Sequence, residues 1–110
     1  MADFYEIEVS AQAEADMREV YSWIAEVDSD FADQWYSGVV SQMETLSTLP
    51  HRCPLAPESR MRLLHMETRQ LLYGKGYWKY RILFQVAGNT VWISHVRHGA
   101  RLYLGQEDDV

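Results

Sequence analysis

The sequence predicts an α+β domain of two layers, an N-terminal helical hairpin packed on an antiparallel sheet, in the order β-α-α-β-β-β. Three observations predict it. Apolar residues recur at three- and four-residue steps from residue 11 to 48, broken only by Asp28-Ser29-Asp30. Two strand-like runs, 77–86 and 90–97, flank the turn Ala87-Gly88-Asn89. Finally, the 110 residues are 47% apolar, enough for one core and too few for two, so 1–110 reads as a single domain with an acidic tail at about 102–110.

Each element has its own signature. Tyr5, Ile7 and Val9 alternate with Glu6 and Glu8, a half-buried strand. Ser10 offers an oxygen to cap the helix that follows. That helix, 11–27, carries a stripe of Ala13, Met17, Val20, Tyr21, Ile24 and Val27, with Glu14, Asp16, Glu19 and Glu26 off it. Ser29 or Asp30 caps a second helix, 31–48, whose buried positions are Trp35, Val39, Met43 and Leu46. Leu49-Pro50 ends it, because a residue before proline is pushed out of helical backbone. Residues 50–62 read as a proline-containing loop and about 67–73 as a strand whose faces are ambiguous. Gly74-Lys75-Gly76 is a tight turn. In the run 77–86, Trp78, Tyr80, Ile82, Phe84 and Val86 share one face; Tyr77, Lys79, Arg81, Leu83 and Gln85 share the other. With the helices on the first face, the second is expected to lie open and to display Lys79 and Arg81, with Arg97, His98 and Arg101 at the end of the last strand.

Composition narrows the function classes. No apolar run approaches the roughly 20 residues of a membrane span. The acidic start, Met1 to Glu6, does not read as a signal peptide. Cys53 is the single cysteine, so an internal disulfide is excluded, and the expected location is the cytoplasm. The net charge of −6 hides a split. Residues 1–50 carry a balance of −10, residues 51–101 a balance of +7, and the tail −3. This points to a basic working face on an acidic body, or to halves that pair their charges across the fold. His95 and His98 lie three apart on a strand, hence on opposite faces, which argues against a metal site. Trp35 and Trp78 fall on apolar stripes and are expected in the core; Trp23 and Trp92 are left as core or stacking positions.

The element order, the run Tyr80-Arg81-Ile82-Leu83-Phe84 and the ending Val96-Arg97-His98-Gly99-Ala100-Arg101 resemble the RelE/ParE toxin superfamily. The loop Pro50 to Pro57 and the stretch Arg69-Gln70-Leu71-Leu72-Tyr73-Gly74 resemble its plasmid-stabilisation branch. The resemblance spans about residues 4–101. It implies a toxin of a type II toxin–antitoxin system that inhibits growth, bound by a cognate antitoxin, with no cofactor; a homodimer and a heterotetramer with the antitoxin both stay open. It leaves two targets open: DNA gyrase, as for ParE-like members, or ribosome-bound messenger RNA, as for RelE-like endonucleases. A non-toxic protein-binding module is a third reading.

Metal-independent RNA cleavage needs a base for the 2′-hydroxyl proton, an acid for the leaving oxygen and a cation on the phosphate. For a RelE-like member the resemblance sets Arg81 against the scissile phosphate and matches Arg101 to the arginine just beyond the last strand, and His98 is the neutral-range acid/base candidate close in sequence to both. Arg69, Lys79 and Arg97 are candidate contacts to nucleic acid or another target. Tyr103 is a weaker candidate for stacking on a base. The acidic balance and the scarcity of lysines favour the gyrase reading over the nuclease.

Overall fold

The computed structural model describes residues 4–101 and Leu104; Tyr103 and the rest of the tail lie outside the described residues. Strand β1 (Glu6–Val9) leads into helices α1 (Ala11–Ala25) and α2 (Ser29–Glu44). A short helix α3 (Pro57–Arg60) interrupts the long connection to β2 (Arg69–Tyr73), β3 (Tyr80–Ala87) and β4 (Thr90–His98). The expected order is kept, with α3 added inside what reads as loop.

The sheet order is β1-β4-β3-β2. The three final strands are antiparallel neighbours, as their short turns require. β1 joins the far side of β4 in parallel, so the sheet is mixed. Parallel pairing is possible because the helical hairpin and everything after it separate β1 from β4, leaving ample chain for the crossover.

Local chemistry fixes the helix ends. The Ser10 hydroxyl accepts the Ala13 N–H at 3.0 Å and donates to the Ser94 carbonyl at 3.0 Å, so one side chain starts α1 and ties it to β4. The cap of α2 is Asp28 rather than the expected Ser29 or Asp30, with its Oδ1 accepting the Phe31 N–H at 3.0 Å. α2 stops at Glu44 and tightens into a 3-10 turn, Thr45–Ser47, short of the expected 48. Arg52 caps this end, donating to the carbonyls of Thr45, Thr48 and Leu49.

The main core lies between the helices and the sheet. Ala13, Met17 and Ile24 of α1 and Trp35, Val39 and Met43 of α2 meet Ile82 and Phe84 of β3 and Val91, Ile93 and Val96 of β4. Burial of these side chains supplies most of the drive to fold. α2 carries Gly38 where Tyr73 of β2 packs against it; a methyl group there would overlap the Tyr73 ring. The stripe on α1 differs from expectation in two places. Val27 lies beyond the helix and is 91% exposed, whereas Asp16 is buried. Asp16 turns inward because β1 pairs with β4 only as far as Ile93. Farther along that edge, Asp16 Oδ2 accepts the Val96 N–H at 3.0 Å, taking the place of a strand partner.

Candidate functional site

The second face of the sheet is not open. The connection from α2 to β2 folds over it, and Arg81 and Arg97 are closed in. Leu83 is fully buried there, and Arg81 and Arg97 are 5% and 4% exposed. Sequence alternation gave the correct face for Arg81 but could not reveal the cover, which comes from α3.

Pro57 starts α3 and Glu58 follows it, on a side chain with no solvent exposure. Glu58 Oε1 accepts from Arg81 Nη2 in a buried ion pair. Its Oε2 accepts the backbone N–H of Leu104 at 3.0 Å. Arg81 Nε donates to Gln70 Oε1 of β2 at 3.0 Å. One carboxylate therefore links α3, β3 and the chain after β4. Burial alone would raise the Glu58 carboxyl, but the Arg81 guanidinium and the Leu104 N–H outweigh it and hold the group below its ordinary value. Beside this pair, Gln85 donates to Thr68 Oγ1 at 3.0 Å and to Ser94 Oγ at 3.2 Å.

Register decides which candidate residues can meet. Arg81 pairs with Arg97 and Tyr80 with His98 across β3 and β4. Cross-strand partners share a face, so Arg81 and Arg97 point to the α3 side and His98 to the helix side. His98 stands edge-on to Tyr80 at 5.2 Å, and its Nδ1 accepts the Ala100 N–H at 3.0 Å. Arg101 is exposed and lines a cleft with His98, Asp16, Glu19, Trp23, Tyr80 and Val96. His98 and Arg101 are thus brought together, and Arg81 is not.

The target-contact candidates divide as well. Lys79 is exposed and lies just before β3 on extended backbone, its carbonyl accepting the Gly99 N–H at 2.8 Å. Arg97 is buried. Arg69 is turned back on the fold, donating to the Cys53 carbonyl at 2.7 Å and lying 3.6 Å from Glu67. Its planar fork braces the 51–53 loop. The Cys53 thiol below it is pushed up by burial, against the opposing pull of Arg52 and Arg69. Among the described residues, no cluster of three or more His, Cys, Asp or Glu forms that could hold a metal. No described helix is long and apolar enough to cross a membrane.

Trp78 also departs from expectation. β3 begins at Tyr80, and the preceding Gly76–Trp78 forms a 3-10 turn that carries Trp78 out of the core to 46% exposure. It rests on Trp23, ring centres 5.5 Å apart. Gly74, at φ 99, permits this turn; a side chain there would collide with the Trp78 carbonyl. Trp35 is core, as expected, and Trp92 is 48% exposed. Glu58 was missed because a lone acid in a proline-rich loop carries no periodic signal.

A model of the ParE toxin of the type II toxin–antitoxin system parDE matches residues 7–103. The chain belongs to the ParE toxin family. The fold agrees: a solved chain described as the chromosomal ParDE TA system from P. aeruginosa superposes with a TM-score of 0.68 at 16% identity, covering 88% of this chain and 98% of that one. No curated protein matches in sequence. Membership in the ParE family stands without the open cationic face that the sequence suggested.

Proposed function

We propose that this ParE-family chain inhibits growth in the cytoplasm by acting on DNA gyrase, is neutralised by a cognate antitoxin, and works without cutting RNA. The observation that carries the choice of target is the division of Arg81 from His98 and Arg101. Metal-independent RNA cleavage needs its acid, base and phosphate-binding cation within hydrogen-bond reach of one scissile group. Here Arg81 is engaged by Glu58 on one side of the sheet, and His98 and Arg101 line a cleft on the other. An inhibitor that works by binding needs no such convergence. Exposed Lys79 is then a target contact and Arg101 is not a catalytic group, while Arg69 and Arg97 hold the fold.

The test is expression in bacteria, alone and with the neighbouring antitoxin. Growth arrest that the antitoxin relieves is expected; no arrest would favour the non-toxic module. In arrested cells, DNA damage with intact transcripts is expected, and the purified chain should inhibit gyrase supercoiling. Transcript cleavage in codon register, lost in His98→Ala or Arg101→Ala, would overturn the gyrase reading in favour of the endonuclease.

A further inference from the structure

Where the turn between α1 and α2 meets the 3-10 turn before β3, the surface is apolar. Trp23, Val27 and Phe31 are 52%, 91% and 44% exposed and lie beside half-exposed Trp78. These four, with Ile24 and Asp28, line a shallow cleft of about 200 Å³. The surface continues both ways. Towards β4, Glu19, Trp23, His98 and Arg101 line a second cleft. Towards β2, Phe31, Gln34, Lys75 and Trp78 line a third. Shared Trp23, Phe31 and Trp78 join the three into one trough. Aromatic side chains bury about 150–250 Å² each, so the half-exposed rings and Val27 present on the order of 400 Å², as large as the largest patch on an ordinary monomer.

The two banks of the trough differ in sign. Along the helices stand exposed Glu19 and Asp28. Along the other bank stand exposed Lys75 and Arg101. A partner of one sign would meet like charge on one bank. A second copy would not. A twofold axis lying along the trough keeps each position level while exchanging the banks, so Glu19 faces the other copy's Arg101. We propose that this trough is the face through which two copies of this chain pair, with Trp23, Val27, Phe31 and Trp78 as the apolar centre and the two banks as a self-complementary rim. Because the interface is isologous, every substitution in it acts twice. The proposal rests on no assumption about the toxin's target.

The test is the mass of the purified full chain by light scattering at about 100 μM, where an interface of modest affinity is populated. Twice the chain mass is expected. Val27→Asp and Trp78→Asp should each weaken pairing at least about tenfold while leaving the circular dichroism unchanged, since central interface aromatics carry most of the binding. E19R and R101E should each weaken pairing alone, and a one-to-one mixture should restore it, because only the mixed pair matches opposite charges on both banks. A wild-type chain that stays monomeric overturns the proposal; if Trp78→Asp then also escapes relief by the antitoxin, the trough is the antitoxin's seat instead. Dimers untouched by these variants overturn it too, in favour of another face. Pairing without growth arrest would leave the dimer standing and remove the proposed toxicity.

Discussion

The two sides of the sheet are held by different forces. On the helix side, Phe84, Ile82, Val91 and Ile93 are completely buried among apolar neighbours from α1 and α2. On the α3 side, the same strands bury Arg81 and Arg97, and the cover contributes Glu58 and Thr68. The first side needs only shape and apolarity, which many residue combinations supply. The second depends on particular partners, because a charge withdrawn from water without a counter-charge costs several kcal/mol. The helix side therefore supplies the bulk of the stability, and the α3 side determines how the connection and the end of β4 are fastened.

Breaking each side separately tests this contrast. Arg81→Ala should cost about 3–5 kcal/mol, because Glu58 is left as a buried unpaired charge; urea denaturation measures it. Replacing both partners, Glu58→Leu with Arg81→Met, should recover most of that loss, since the burial of two charges disappears together. Phe84→Ala on the helix side should cost a similar 3–5 kcal/mol, and no partner substitution should rescue it, because the loss is a cavity. If the double variant is no better than Arg81→Ala, the pair is not the fastening described here.

Acid sharpens the same distinction. The Glu58 carboxyl is depressed in the fold, so its contribution is fully present above the ordinary carboxylate value and is lost as pH falls through the depressed one. Wild-type stability should decline on acidification below about pH 4, and Glu58→Gln should flatten that limb of the curve. Smaller effects are expected where α1 meets β4. Asp16→Ala strips the buried Val96 N–H of its acceptor and should cost about 1–3 kcal/mol. Ser10→Ala removes the cap of α1 and should cost about 1 kcal/mol by thermal denaturation.

Much of the fold was legible residue by residue. The stripe of Trp35, Val39, Met43 and Leu46 and the alternation of Tyr80, Ile82 and Phe84 are periodic, and periodicity is a local property that burial then uses. Ser10 was readable as a cap for the same reason. Asp16 was not, because its role depends on where β1 stops pairing with β4. Trp78 reads as core in the sequence because the alternating run 77–86 begins three residues before the true start of β3.

What the sequence determined alone is therefore local: the helical hairpin, the strand periods, the turn at Gly88 and the uneven distribution of charge. Only the tertiary structure decided where the charges went. The crossover that sets β1 beside β4, the closure of α3 over Arg81 and the gathering of Trp23, Phe31 and Trp78 into one surface all join residues far apart in the chain. Contacts of that kind leave no periodic trace, because each partner's position is set by packing of the whole domain.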